Sequence, residues 1–274
     1  MSIERHYTGC RFGQLHYLTA RPETGAATRP PLVLLHQNPS SSVEYRFLIE
    51  AMATDRMVFA FDTPGYGMSD RPSGPQTIAG YAGAFADAMD RLELGVERPV
   101  DLYGFHTGTY LAVELALARP ERVGRLVLTG IPFHPVAERE KRLAQAKAIA
   151  PPDEAGSAIL ERLRWLWDFT VTQRHPGVPI ERAADMFAER AKPLHRYGWA
   201  YEGVWSYDLE ARFPLLRHRT LLLQPHEPIL QQSLAGAGLL PDMIVRELPT
   251  LDRDVFEPEA GLDLIVQGLR DFLA

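Results

Sequence analysis

The chain has 274 residues, of which 46% are apolar and 23% charged, and its formal net charge at pH 7 is -6. This composition is typical of a soluble globular protein, and the negative charge argues against nucleic acid or an anionic membrane surface as a partner. Cys10 is the only cysteine, so no internal disulfide is possible, and no apolar run approaches the ~20 residues that span a bilayer. Because the first residues also lack the apolar region of a signal peptide, we expect a cytoplasmic protein.

Strand and helix signals alternate along most of the chain. Residues 3–20 alternate loosely between apolar and polar positions and predict two strands. Apolar runs of strand length predict buried strands at 31–36, 57–62, 123–131, 220–224 and 243–248, with a further one starting at residue 100. Helical spacing predicts helices at about 43–53, 77–94 and 259–272, and one directly after residue 108. The alternation predicts an α/β fold, with a mostly parallel sheet and helices on both faces.

One block breaks this alternation. From residue 132 to about residue 213 strand signals vanish, helical patterns dominate, and all four tryptophans occur. Since the block stands between two predicted strands, we interpret it as an insertion that caps the carboxyl ends of the strands, where open sheets bind ligands. The predicted organisation is one α/β core, residues 1–132 and 214–274, with a helical cap at 133–213. Most cap aromatics are expected to pack, and a minority to line an apolar pocket.

The stretch Gly104-Phe105-His106-Thr107-Gly108 follows a short strand and precedes an apolar helix. This is the layout of the nucleophile elbow, G-x-S-x-G, in which glycines let backbone crowd against backbone at a strained turn. Histidine stands where that pattern has serine. The function predicted from the sequence depends on this exchange.

Four segments together resemble the α/β-hydrolase fold, in particular the branch of haloalkane dehalogenases and epoxide hydrolases. His36-Gln37-Asn38-Pro39 is similar to the H-G-N-P loop of that branch, and residues 62–69 read D-x-P-G-x-G-x-S. The elbow is the third segment. The fourth comprises the loops at Glu227 and at 248–257, where the family carries its acid and its base. The resemblance covers nearly the whole chain and implies an α/β-hydrolase fold.

The chain departs from that family pattern at three positions. His106 replaces the serine or aspartate nucleophile, Gln37 replaces a glycine at the mouth of the expected oxyanion pocket, and Arg253 stands where the resemblance places the base histidine. Glu227 lies within a residue of the position of the family's acid. Because a carboxylate nucleophile is missing, dehalogenase chemistry is disfavoured.

The exchanges at positions 106 and 253 are chemically consistent with each other. A neutral imidazole offers a lone pair near neutral pH without a second base, whereas the guanidinium of Arg253 stays protonated. The helix N-terminus also disfavours imidazolium. We therefore expect His106 to act directly, as general base or as nucleophile. The backbone N–H of Thr107 and an N–H from the Gln37–Asn38 loop are expected to bind the developing negative charge.

Glu227 has two possible roles: it orients His106, or it forms an ion pair with Arg253. We favour the ion pair because the two loops are neighbours in this fold. The remaining expected residues of the substrate site are Phe105, His36 and His134, although we expect His36 to order its loop rather than to take part in catalysis. No ligand spacing such as H-x-x-x-H supports a metal site, and we expect neither a metal nor a cofactor.

Three interpretations of the function stay open. The first is a hydrolase that cleaves an acyl, ester, C–C or C–O bond of a small, largely apolar carbonyl compound. The second is a lyase, isomerase or cyclase in which His106 only moves a proton. The third is a pseudoenzyme that kept a binding pocket. Each takes a small molecule as its partner, and the sequence does not distinguish a monomer from a homodimer.

Overall fold

The computed structural model describes residues 2–23, 27–150 and 152–274. These residues form one eight-stranded sheet with the strand order β1-β2-β4-β3-β5-β6-β7-β8. Its strands are β1 (Glu4–Cys10), β2 (Gly13–Ala20), β3 (Leu32–Leu35), β4 (Val58–Phe61), β5 (Val100–Phe105), β6 (Val123–Thr129), β7 (Thr220–Pro225) and β8 (Met243–Leu248). The pairs β1–β2 and β2–β4 are antiparallel, and the other neighbours are parallel. The predicted α/β class and mostly parallel sheet are confirmed.

The helices are α1 (Arg46–Met52), α2 (Ile78–Arg91), α3 (Thr107–Ala118), α4 (Val136–Lys147), α5 (Ser157–Trp167), α6 (Ile180–Ala191), α7 (Trp199–Trp205), α8 (Leu209–Arg212), α9 (Leu230–Ala237) and α10 (Leu262–Phe272). The sheet is covered by α2 and α3 on one face and by α1 and α10 on the other. In β3, Val33 and Leu35 join the apolar cluster that contains residues of α2 and α3. Leu32 and Leu34 join the cluster of α1 and α10. A strand buried on both faces has no polar positions, which explains the continuous apolar runs in the sequence.

Two predicted helices start later than the sequence indicates. A 3₁₀ turn at Ser42–Tyr45 precedes α1. α10 starts at Leu262 rather than near residue 259, since Gly261, with a φ of 139°, interrupts the helical backbone directly before it. The helix α9 has no counterpart in the sequence prediction.

Between β6 and β7 the described residues contain no strand, as the sequence pattern predicts. We call α4–α8 and the turns between them, residues 136–215, the helical segment. It is attached to the rest of the molecule by the ion pair Arg182–Glu257, at 2.9 Å, and by the Ala200 N–H, which donates to the Tyr66 hydroxyl at 3.0 Å. No helix in the described part of the chain combines the length and the apolar character needed to cross a membrane.

Candidate active site

His106 is the single residue between the end of β5 and the start of α3. Its backbone lies at φ 48° and ψ -112°, a conformation that residues with a Cβ rarely adopt. Two hydrogen bonds of 2.9 Å hold it there: the His106 N–H donates to the Thr129 carbonyl, and the Thr109 N–H donates to the His106 carbonyl. The turn thereby fixes the imidazole at the carboxyl end of the sheet.

This turn requires glycine at positions 104 and 108, because neighbouring backbone atoms leave no room for a side chain there. A Cβ on Gly104 would lie 2.3 Å from the Gly108 carbonyl oxygen, and a Cβ on Gly108 would lie 1.9 Å from the Leu35 carbonyl oxygen. α3 therefore packs directly on the backbone of the central strands. This is the crowding that the G-x-H-x-G sequence predicts.

Glu227, two residues after the end of β7, is the partner of His106. The distance between His106 Nε2 and Glu227 Oε2 is 2.7 Å. An ionised carboxylate only accepts hydrogen bonds, so Nε2 carries the proton and Nδ1 holds the lone pair. Nδ1 has no hydrogen-bond partner in the described part of the chain, and the His106 side chain is 28% exposed. The arrangement leaves one basic nitrogen free.

Gly130, directly after β6, makes space for this pair. A Cβ there would lie 2.3 Å from His106 Cδ2 and 2.6 Å from Glu227 Oε1, and the residue has a φ of 71°. On the other side of the ring, Phe105 stacks on the imidazole with a centroid distance of 4.1 Å. The imidazole thus lies between the ring of Phe105 and the backbone of Gly130.

The predicted ion pair between Glu227 and Arg253 is wrong. Arg253 forms its ion pair with Asp254, at 3.7 Å, and its Nη2 donates to the Phe169 carbonyl in the helical segment at 3.2 Å. The loop after β8 turns the guanidinium towards the helical segment, and Glu227 is free to hydrogen-bond His106. Of the two roles considered for Glu227, the structure supports the first, in which its hydrogen bond orients the His106 ring.

His106 lines two cavities. One, of about 180 Å³, also contacts Asn38, Thr107, Trp165 and Trp205. The other, of about 600 Å³, is lined by His106 and Glu227 together with residues that follow β8, among them Arg253. Gln37 and the helical-segment residues Phe169 and Arg190 contribute to both. The imidazole therefore faces space that is enclosed by loops of the sheet on one side and by the helical segment on the other.

The expected oxyanion donors differ in availability. The Gln37 N–H donates to Glu44 at 3.2 Å, so it is already occupied. The N–H of Thr107, the first residue of α3, has no acceptor among the described residues. Asn38 is 5% exposed, and both polar atoms of its side chain lack a partner. The available donors are the backbone N–H of Thr107 and the side-chain amide of Asn38. Both residues line the same cavity as His106.

The other histidines have partners of their own. His36 Nδ1 donates to the Gln37 carbonyl at 2.6 Å, and His36 Nε2 accepts the Thr63 N–H at 2.9 Å, which is the expected loop-ordering role. His134 is buried edge-on against Trp205, and burial lowers the pKa of its imidazole. The described residues contain no group of three or more His, Cys, Asp or Glu side chains placed to hold a metal ion.

Sequence reasoning missed Arg190, which lines three cavities around the site. Nothing in the sequence singles it out, because charged residues recur along every helix of the segment. The structure distinguishes it by its partners. Its Nη1 donates to Thr170 Oγ1 at 3.2 Å, whereas its Nε is buried without an acceptor.

Residues 30–224 match the sequence profile of a family described as "alpha/beta hydrolase fold". The chain belongs to the alpha/beta hydrolase fold family. This membership confirms the predicted fold, and it confirms the predicted enzyme class, a hydrolase, at the level of the family.

Individual relatives of this alpha/beta hydrolase are distant. It is 27% identical over 243 residues to a haloalkane dehalogenase of Mycolicibacterium paratuberculosis, covering 78% of this chain and 77% of the dehalogenase. It is 28% identical over 205 residues to the 1-acylglycerol-3-phosphate O-acyltransferase ABHD5 of Rattus norvegicus, covering 64% of this chain and 57% of the relative. Among solved structures, the enol-lactonase from Burkholderia xenovorans superposes with a TM-score of 0.74 at 20% identity, over 98% of this chain and 99% of the lactonase.

Proposed function

We propose that the protein is a hydrolase in which His106 occupies the nucleophile position and acts as the general base. The proposed substrate is a small, largely apolar molecule in which an ester, acyl or carbon–carbon bond next to a carbonyl group is cleaved. One observation carries the proposal: Glu227 accepts a hydrogen bond from His106 Nε2–H at 2.7 Å. The lone pair on Nδ1 is therefore free, on an imidazole that lines two cavities.

In the proposed reaction, His106 Nδ1 takes a proton from a water molecule while the water oxygen attacks the carbonyl carbon. The carbonyl oxygen becomes an oxyanion, which the Thr107 N–H and the Asn38 amide stabilise. The tetrahedral intermediate then expels the leaving group, which receives the proton from the imidazolium. Glu227 stabilises the imidazolium between these two proton transfers. Each oxyanion donor is worth roughly 10²- to 10³-fold in turnover.

We propose further that the helical segment is a substrate cap, with the core at 1–132 and 214–274 and the cap at 133–213. Trp165, Phe169 and Trp205 of this segment line the smaller cavity together with His106. Walls of this kind favour an apolar or aromatic substrate body. The similarity to a haloalkane dehalogenase does not transfer that activity, because position 106 has no carboxylate to displace a halide.

The test is hydrolysis of a panel of aromatic and short aliphatic 4-nitrophenyl esters in ¹⁸O-labelled water. We expect turnover, incorporation of ¹⁸O into the acid product, and a loss of about 10²- to 10⁴-fold in kcat for His106→Ala. The control is His6→Ala, since His6 is exposed, has its own carboxylate partner, Glu4 at 2.9 Å, and lines neither of the cavities around His106; this variant should hydrolyse the esters at close to the wild-type rate.

The same assay separates the alternatives. A base leaves no acyl group on the protein, so the intact mass of acid-quenched enzyme should be unchanged, whereas a histidine nucleophile would add the mass of the acyl group. A panel in which no ester is hydrolysed would favour a proton-transfer enzyme or a binding protein. Turnover that survives His106→Ala would overturn the proposal.

A further inference from the structure

Arg190 is a cation without a counterion beside the candidate active site. Its guanidinium lies in α6 and borders the cavities of about 180 and 600 Å³ that His106 also lines. In the described part of the chain no carboxylate approaches Arg190 within 4.0 Å. Its Nε is buried with no acceptor, and its one hydrogen bond to protein runs from Nη1 to Thr170 Oγ1.

The other arginines that line these cavities have an ion pair or several hydrogen bonds inside the protein. Arg182 pairs with Glu257 at 2.9 Å. Arg174, which lines the same small cavity of about 70 Å³ as Arg190, donates to two backbone carbonyls at 2.9 Å. Of the carboxylates that line these cavities, Glu44 accepts from Gln37 and Ser40, Glu227 from His106, and Asp254 from the His175 N–H. Asp252, at the exposed rim of the larger cavity, has no partner among the described residues and no ion pair with Arg190 within 4.0 Å. None of them neutralises Arg190.

A half-buried guanidinium without a counterion is costly, because the charge has lost part of its hydration. Phe169, whose ring centroid lies 5.9 Å from Arg190 Cζ, offers only a weak compensating contact. Nη2 also has no partner among the described residues and, unlike Nε, is not closed to solvent. An arginine N–H group of this kind donates a charge-assisted hydrogen bond to a carboxylate.

We propose that Arg190 binds a carboxylate of the substrate, so that the substrate is an organic acid with an apolar body and a scissile carbonyl group at a distance from its carboxylate. This inference rests on the proposed function only for the scissile group. The carboxylate pairs with Arg190 in the helical segment, and the carbonyl group lies at His106 in the core. The pairing of a charged anchor with apolar walls selects hydrophobic acids over neutral analogues of the same shape.

The test measures binding, which does not depend on turnover. The probes are 3-phenylpropanoate and its neutral analogue 3-phenylpropanamide, and the readout is the fluorescence of the tryptophans, of which Trp165 and Trp205 line the cavity. We expect the acid to bind wild-type protein about 10- to 100-fold more tightly than the amide. Arg190→Gln should abolish this preference, and Arg190→Lys, which keeps the charge, should retain part of it. The same titration of His106→Ala protein should still show the preference.

The matched control is Arg174→Gln, which removes an arginine whose hydrogen bonds are satisfied and should keep the preference for the acid. Circular dichroism establishes that each variant is folded. If the acid binds no better than the amide to folded wild-type protein, or if the preference survives Arg190→Gln, the inference is wrong. A preference that is seen in a protein without esterase activity would leave the carboxylate site standing and remove the proposed function alone.

Discussion

The two nitrogens of His106 have different environments. Nε2 is held by Glu227 at 2.7 Å, and Nδ1 has no partner among the described residues. A base that is to transfer a proton twice must be stabilised in its charged form between the transfers. In the proposed reaction the Glu227 carboxylate provides that stabilisation through its charge, and it also selects the tautomer of the ring.

Glu227→Gln should therefore lower kcat by roughly 10²- to 10⁴-fold. The amide keeps the shape of the side chain and still offers an acceptor oxygen, but it cannot neutralise an imidazolium. KM should change little, because the charge is needed only during the reaction. The measurement is steady-state hydrolysis of the ester identified in the panel.

Glu247→Gln is the control for this experiment, since it removes the charge from the surface pair His226–Glu247. It should leave kcat unchanged. A Glu227→Gln enzyme with wild-type kcat would contradict the role given to the carboxylate.

The sequence predicts the position of His106 but not its partner. The G-x-H-x-G spacing identifies the turn, because only glycines tolerate such close backbone contacts. The choice between Arg253 and His106 as the partner of Glu227 depends on the paths of three loops that follow different strands. Those paths are set by local contacts such as Arg253 with the Phe169 carbonyl, and no periodicity records them.

At the scale of elements, the helical segment contacts the core through the turn after α5 and through α6. The π turn Asp168–Thr172 that follows α5 carries Thr170, which contacts Arg190, and Phe169, which contacts Arg253. Turns of this kind within helices recur at functional sites. Farther along the segment, α6 is joined to the core by the buried ion pair Arg182–Glu257.

Arg182→Ala should lower the free energy of unfolding at pH 7 by about 3 kcal/mol, because it leaves the carboxylate of Glu257 buried and unpaired. Burial already raises the pKa of Glu257 even though the Arg182 hydrogen bond and charge lower it. The carboxyl therefore takes up a proton readily once Arg182 is absent, and the difference from wild type should shrink as the pH falls from 7 to 5. Urea unfolding at both pH values measures this.

A second substitution, Glu257→Gln, should restore much of the lost stability in the Arg182→Ala background, because the buried charge is gone. Arg46→Ala is the control: its pair with Glu50 is exposed and 3.6 Å long, and its loss should cost about 0.5 kcal/mol or less. An effect of Arg182→Ala equal to that of the control would show that the pair does not hold the segment.

The sequence predicts the strands and helices better than it predicts the site. The apolar runs predict the buried strands because both faces of those strands are covered, and the loss of strand signals marks the helical segment. α9 was missed, since its sequence, Leu230–Ala237, contains no strong periodic pattern and includes a glycine. Helix starts shifted wherever a 3₁₀ turn or a glycine such as Gly261 intervened.

At the scale of the whole molecule, one buried acid joins segments that are distant along the chain. Asp62 accepts hydrogen bonds from the His16 ring at 2.8 Å, from the Ser42 N–H at 2.7 Å and from the Met68 N–H at 2.8 Å. Burial alone would raise the pKa of Asp62, but the His16 hydrogen bond and the other contacts outweigh it, and the pKa lies below its ordinary value. The ionised form is thus bound more strongly in the folded protein than in the unfolded chain.

Because the folded pKa is the lower one, this contribution to stability is complete above the unfolded pKa, near pH 4, and is lost as the pH falls through the folded pKa. Asp62→Asn should destabilise the protein at pH 7 by about 2 kcal/mol or more, since its amide cannot accept all of these hydrogen bonds. It should also flatten the decline in stability between about pH 4 and pH 2.

Chemical denaturation over this pH range measures both effects. The exposed acid Asp271, which pairs with Arg246 at 2.9 Å, provides a control substitution, Asp271→Asn, that should leave the wild-type pH profile in place. A profile of Asp62→Asn as steep as that of wild type would assign the acid sensitivity to other groups.

The sequence does not predict the cavities or the charges that line them. Arg190 lacks a counterion because no acid of the neighbouring loops or of the helical segment lies within 4.0 Å of it among the described residues. Such an absence cannot be recognised from residue types, because an arginine in a helix usually faces water or pairs with a nearby acid. Only the assembled protein distinguishes it.

Gly130 limits which residues can stand beside the His106–Glu227 pair. The volume that even a methyl group at position 130 would need is filled by the imidazole and its carboxylate, with separations of 2.3 and 2.6 Å. A side chain at this position would therefore force the ring or the carboxylate to move, and the tautomer of His106 depends on a residue that has no side chain of its own.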